Sequence, residues 1–359
     1  MQCLLKDLVY YSNNKINYND LNNRNYISTE NMLPNFGGIT NSTSIPKEGK
    51  SISFQEGDIL LSNIRPYFKK LYYANFNGGC SNDVLCFRVY DNKIINSKYL
   101  YYALSTNKFI DYVVSTSKGT KMPRGDKTAI MKYELNIHDR EKQDYIVDII
   151  GSIDDKIENN NKIFRMLDKQ LELLFCKISV IDSNLKFRDV FKTYNGYAFK
   201  SSNYNDLGKY KIITIKNIKA NGFNTDSTDK VDYKKEYDNC ILSIGDILLT
   251  MTGDVGRVGI VTENNCLLNQ RVLKVESVSQ AYTYAFLKHN YKQINLIAKG
   301  SVQLNLGLSD LNNLKINNSL DDINKFKKYD TIIEYMINLK KENTKLNKLK
   351  QNYLLKFFQ

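Results

Sequence analysis

The chain states one plan twice. Phe54–Ser62 (FQEGDILLS) returns as Leu242–Thr250 (LSIGDILLT), and each copy leads, many residues later, into a long charged helix. A single repeat separated by well over a hundred residues marks a duplicated domain and not a short-period solenoid. Further landmarks keep the same order in both halves. Cys80–Val89 (CSNDVLCFRV) parallels Cys266–Val275 (CLLNQRVLKV). Lys118-Gly119-Thr120 precedes Leu135-Asn136-Ile137 as Lys299-Gly300-Ser301 precedes Leu314-Lys315-Ile316. Two similar domains in one chain imply two similar targets.

The 359 residues, 42% of them hydrophobic, suffice for two ordinary cores. The expected fold is α+β: two similar domains, each a mixed sheet with short helices, joined by two long helices. The expected division is 1–138 for the first domain, 139–179 for its helix, 180–321 for the second domain and 322–359 for its helix. No apolar run approaches the roughly 20 residues that span a bilayer, and the first residues lack a secretory signal, so a cytoplasmic protein with no membrane partner is expected. Six cysteines (Cys3, Cys80, Cys86, Cys176, Cys240, Cys266) occur without a CxxC pair or a zinc-like histidine spacing, pointing to reduced thiols with neither metal nor disulfide framework.

From Ile146, the residues Ile150, Ile153, Ile157, Asn160, Phe164, Leu167, Leu171 and Leu174 recur at steps of three and four, the seam of a coiled coil. Ile332, Met336, Leu339, Asn343, Leu346, Leu349, Tyr353 and Phe357 repeat the pattern near the other end. Each seam has one Asn near its middle. A buried Asn selects register, because a shifted pairing leaves its amide unsatisfied. The two helices are therefore expected to pack antiparallel with Asn160 beside Asn343. Solvated amides are the alternative.

A formal charge of +13 favours a polyanionic partner, since clustered Lys and Arg release the counterions of phosphates. AT-rich codon bias explains a lysine-rich composition equally well. The loops discriminate better. Arg65, Tyr67, Lys69 and Lys70 interleave cations with aromatics, and Lys118, Lys121, Arg124 and Lys127 form a basic, irregular loop. At the matching places the second domain offers Arg257, Asn269, Gln270, Arg271, Lys299, Gln303 and Asn305, side chains that pair with base edges. These are candidate DNA contacts.

Signatures of chemistry are missing. The two histidines, His138 and His289, lie in different domains without a nucleophile, no GxxxxGK[ST] loop or GxGxxG turn occurs, and no Asn/Asp-Pro-Pro-aromatic tetrapeptide of amino-methyltransferases is found. No catalytic, cofactor or metal residue is assigned.

Two domains each ending in a long helix, each with Gly-Asp-Ile-Leu-Leu, one with Ser62-Asn63-Ile64-Arg65-Pro66 and the other with Asn269-Gln270-Arg271-Val272, resemble the specificity (S) subunit of type I restriction-modification systems over essentially the whole chain. The resemblance implies target recognition domains held by antiparallel spacer helices, double-stranded DNA as ligand, and two flanking methyltransferase (M) subunits that carry S-adenosylmethionine. Restriction (R) subunits join where a nuclease is made. The chain would then read an asymmetric bipartite DNA site, one domain per half-site, with no catalysis or cofactor of its own. A two-domain coiled-coil adaptor that binds proteins and not DNA is the competing reading.

Overall fold

The computed structural model describes residues 1–178, 180–181, 183–219, 222–225, 228–300 and 303–358; the expected helix ends at 179 and 359, and Ser301 and Val302 of the second-domain loop, lie outside them. Two compact units emerge: Met1–Lys156 with Leu346–Gln359, and Ile157–Lys345.

In the first unit, Val9–Tyr11, Val84–Val89, Ile59–Ser62 and Leu71–Tyr73 hydrogen-bond in that order as an antiparallel sheet. In the second, Lys192–Asn195, Val272–Glu276, Ile247–Thr250 and Val258–Ile260 make the same sheet. Each unit adds a mixed sheet with one parallel pair, Tyr26–Ile27 on Gly78–Cys80 and Tyr210–Ile213 on Cys266–Leu268. Three strands of that mixed sheet correspond. The fourth does not: Lys15–Asn17 joins one edge in the first unit, and Lys230–Val231 the opposite edge in the second. Register also corrects the sequence match. Ser62 faces Val84 and Thr250 faces Val272, so the counterpart of Cys80 is Leu268 and not Cys266.

The repeated motif has a physical reason in both units. Gly57 and Gly245 take φ of +90° and +95°, the left-handed region open to glycine. The next residue closes the turn: Asp58 accepts the Gln55 N–H and Asp246 the Ser243 N–H, both at 2.8 Å. Each carboxylate then pairs with a cation on the neighbouring strand, Asp58 with Arg88 at 2.7 Å and Asp246 with Lys274 at 2.9 Å. The Ile-Leu-Leu run is buried on both faces. Ile59 and Leu61 enter one core and Leu60 another; Ile247 and Leu249 divide from Leu248 in the same way. Alternation by two explains why the strand is apolar throughout.

The short helices expected in each domain come in pairs: Ser97–Leu104 and Asn107–Ser115, then Gln280–His289 and Tyr291–Ile297. The first long helix runs Arg140–Cys176, with Asp139 accepting the Lys142 N–H. The second runs Asp330–Phe358 and does not begin at 322. Leu320–Lys325 is a separate helix capped by Ser319, and a 3-10 turn follows in which Phe326 is buried. The Asp330 carboxylate is meanwhile tied to Ser279 and the Ala281 N–H.

Both units contain a piece of each long helix. In the first, Ile146, Ile150 and Leu354 share a core with Tyr99, Tyr102 and Phe109, and Lys350 pairs with Asp154 at 2.6 Å. In the second, Leu171 and Phe175 pack with Ile333, Met336 and Ile337. Here the segments run antiparallel and both central amides are buried: Asn160 Nδ2 donates to Asn343 Oδ1 at 2.9 Å and to Glu342 at 2.7 Å, while Asn343 Nδ2 donates to Asn161 at 3.1 Å. Lys340 lies over the Phe164 ring, and burial lowers its pKa.

Removing one partner of a buried pair strands the other charge, which costs about 3–5 kcal/mol. Asp58→Ala should therefore lower stability in urea unfolding by about that amount. Asp246→Ala should cost less, because the Lys274 side chain is 22% exposed against 13% for Arg88.

Candidate nucleic-acid interface

Three loops converge at one end of the antiparallel sheet in each unit, held by matching backbone bonds. In the first unit, Lys118 and Arg124 exchange both N–H···O bonds at 2.9 Å and close a hairpin. Ile64 bridges to Arg124, the Arg65 N–H donates to Pro123 O at 2.8 Å, and the Asn63 N–H donates to Asp83 O at 2.8 Å. In the second, Lys299 and Asn305 exchange bonds of 2.9 and 2.8 Å. Thr252 bridges to Asn305, the Gly253 N–H donates to Leu304 O at 3.0 Å, and the Met251 N–H to Arg271 O at 3.0 Å. The platform is built twice with the same connections.

Equivalent positions on it differ in chemistry. Lys118 and Lys299 agree, but Arg124 stands against Asn305 and Asp83 against Arg271. Arg65 (φ 49°) occupies the left-handed position that Gly253 (φ +71°) fills in the second unit. A Cβ on Gly253 would meet the Gln303 amide at 3.5 Å, an ordinary contact, so the positive φ and not crowding is what favours glycine there. Arg65 holds the same backbone against its side chain's preference, and its Nε is buried without a hydrogen-bond partner.

The expected contact residues divide accordingly. Arg65, Lys118 and Arg124 come together, with Lys121 at the exposed tip and Tyr67 and Lys69 on the adjoining turn. Lys69 donates to Asn107 at 2.8 Å. Lys70 stays beside the turn, its ammonium 5.9 Å from the Phe68 ring centroid, but it is tied down by donating to Thr29 O at 2.6 Å, and burial lowers its pKa. Lys127 opens the short helix Lys127–Ile130, beyond the hairpin. In the second unit Lys299, Gln303 and Asn305 share the hairpin, and Gln270 and Arg271 are exposed on the loop beside it. Asn269 is used in its own turn, accepting the Arg271 N–H at 3.1 Å.

Four acids that the sequence does not single out sit among these cations. Lys118 pairs with Asp126 at 2.6 Å, Arg124 with Asp83 at 3.1 Å, Arg257 with Asp254 at 2.5 Å and Lys299 with Asp310 at 3.0 Å. Each pair keeps at least one partner open to solvent while Asp83, Asp126 and Asp310 are half-buried, and pairs so placed contribute only about 0–1 kcal/mol. The signal that could have located Asp83 was the repeat itself, since Ser81-Asn82-Asp83 occupies the place of Asn269-Gln270-Arg271. Among the described residues, no group of three metal-ligating side chains exists, and no helix is long and apolar enough to cross a membrane. All six cysteines are free; burial pushes the Cys80 and Cys266 thiols up to about 12.

The family model described as "Type I restriction modification DNA specificity domain" matches residues 4–167 and 183–354. The specificity subunit of the type I restriction enzyme MjaVIII from Methanocaldococcus jannaschii is 26% identical over 261 residues, 63% of this chain and 60% of that protein. The HindI specificity subunit of Haemophilus influenzae is 29% identical over 190 residues, 48% of this chain and 39% of that one. The matches thus span less than two thirds of either relative. The crystal structure of a type I restriction-modification S subunit from M. genitalium superposes with a TM-score of 0.56 at 15% identity, covering 99% of this chain and 94% of that one, a likeness of fold.

The Lys118 ammonium, with the Ala129 and Thr128 N–H groups, holds the Asp126 carboxyl down at about 2, below the ordinary value of about 3.9. Its contribution is therefore present above the ordinary carboxylate range and lost as pH falls toward 2. Carboxyl NMR titration should find this low midpoint, and Lys118→Ala should raise it.

Proposed function

Because the chain belongs to the family of type I restriction-modification DNA specificity domains, we propose that it is the DNA-reading subunit of such a system and recognises an asymmetric bipartite site, one word per domain. The observation that carries this reading is the platform built twice with unlike side chains. A shared scaffold gives two readers; Arg124 against Asn305 and Asp83 against Arg271 give them different words. Exposed cations such as Lys118, Lys121 and Lys299 contact phosphates, setting affinity and position, while Arg271, Gln303 and Asn305 face base edges. The cations gathered on the loops, more than the overall charge of +13, support a polyanion as ligand.

In this reading the chain does no chemistry. His138 meets the Tyr99 hydroxyl at 2.8 Å; His289 lies against the Phe175 ring at 5.0 Å and, contrary to the expectation that no nucleophile is near, has the Cys176 thiol 3.8 Å from its Nδ1. Two methyltransferase subunits holding S-adenosylmethionine supply the reaction in the cytoplasm, with restriction subunits where a nuclease assembles. The long helices act as the ruler between the words, and Asn160 with Asn343 sets their register.

Mapping methylated adenines in a host that expresses this chain with its methyltransferase partner should reveal two unlike words around a fixed, unread gap. A continuous or palindromic motif, or DNA retention that is neither salt-sensitive nor sequence-selective, counts against the proposal; the latter would favour a protein-binding adaptor. Replacing both Asn160 and Asn343 with Leu should raise thermal stability while yielding more than one gap length. A single unchanged gap would remove the register role.

A further inference from the structure

The first unit's platform carries a feature that the second lacks. Tyr67 and Phe68 are 47% and 40% exposed, with ring centroids 4.7 Å apart, on the 3-10 turn Pro66–Phe68. Met122, 49% exposed, lies on the hairpin that Arg65 joins through Pro123. The adjoining pair of half-exposed rings sets apolar surface among the cations of this loop. The matching loop, Thr252–Arg257, contains no aromatic residue.

The backbone beneath the rings is unusual. Arg65 (φ 49°) and Lys69 (φ 54°) bracket the turn in the left-handed region, and Asn35 (φ 55°) and Phe36 (φ 57°) clamp it from outside. The Asn35 N–H donates to Phe68 O at 2.9 Å and the Phe36 N–H to Lys69 O at 2.8 Å. Among the described residues, four of the five non-glycine residues with positive φ belong to this one clamp. Such conformations persist only where surrounding bonds impose them, and they concentrate at ligand clamps. The turn is thus preorganised: its rings are held outward with little backbone freedom left to lose on binding.

We propose that this turn is a wedge, in which Tyr67 and Phe68 insert between adjacent base pairs of duplex DNA and unstack one step of the word read by the first unit. The inference rests on the DNA-reading function proposed above. Apolar wedges of this kind kink a duplex by about 20–90°. Arg65, Lys69, Lys121 and Arg124 supply cations for the phosphates beside the opened step. The first unit therefore reads partly through deformability and favours an easily unstacked pyrimidine–purine step there. The second unit, without a wedge, reads base edges on a regular duplex.

The test uses the full chain assembled with its methyltransferase partner. Its duplexes carry the methylome-defined site with 2-aminopurine, which brightens when unstacked, replacing one adenine of either strand at a time. Methyltransferases extrude their target base, so brightening at the methylated adenines reports an engaged complex. The expected result is one further bright step, in one word only, that is lost in Tyr67→Ala/Phe68→Ala. Tyr67→Leu/Phe68→Leu, which keeps an apolar wedge, should retain it. A mismatch placed at that step in advance should tighten wild-type binding by about tenfold and leave the alanine variant nearly unaffected. Bright target adenines with no further bright step would overturn the wedge while leaving DNA reading intact. So would a step that stays bright in the alanine variant. Absence of site-selective binding altogether would instead sink the functional reading on which the wedge rests.

Discussion

The apolar stripe of the two long helices is the interaction on which the rest of the structure depends. A seam with a three-and-four spacing is ordinarily spent on a partner helix. Here its ends are spent on domain cores: Ile146 and Ile150 are wholly buried with Tyr99 and Tyr102, and Leu171 with Tyr282 and Phe286. Each such side chain contributes about 1.5–3 kcal/mol on burial. Each unit closes its core with one piece of either helix, so neither helix is an appendage. The polar contacts follow the same logic, with the Tyr102 hydroxyl donating to Asp154 and the Tyr284 hydroxyl to Asp168, each at 2.9 Å.

On that base the duplicated sheets separate what must stay from what varies. The Gly-Asp turn, its strand-borne cation and the doubly buried Ile-Leu-Leu strand are structural in both copies, and the ladders they anchor fix where the loops leave the sheet. The loops are then free to change. Arg65 and Gly253 show the limit of that freedom, for both keep one backbone conformation while one position carries a guanidinium and the other only a hydrogen.

Much of this was legible in the amino-acid sequence because its signals are local. The repeat, the strand run after Gly-Asp and the seams with a central Asn depend on spacings of a few residues. What escaped depends on distant pairing. The bridge from Ile64 to Arg124 spans sixty residues, and no local pattern announces it. The ion partner Asp83 lies forty-one residues from Arg124, whereas Asp254, three residues from Arg257, is a local pair that its loop already contains. Lys70 was grouped with its neighbours, though its ammonium turns to Thr29. The Cys80–Cys266 match misled for a related reason: identical letters lay two positions from the equivalence that the hydrogen-bond ladder imposes. The start of the second long helix was missed because 320–329 is helical too, and only the burial of Phe326 and the anchoring of Asp330 separate the pieces.

The first unit is discontinuous, formed from Met1–Lys156 and from Leu346 onward, with the whole second unit between. Synthesis runs from the amino end at roughly 5–20 residues per second, so the slot for Leu354 beside Ile146 and Ile150 stands open for roughly ten to forty seconds after its walls emerge. The order in which domains usually mature is thereby inverted. The unit made first finishes last, and a chain cut short before Leu346 leaves the core around Ile146 and Ile150 without Leu354.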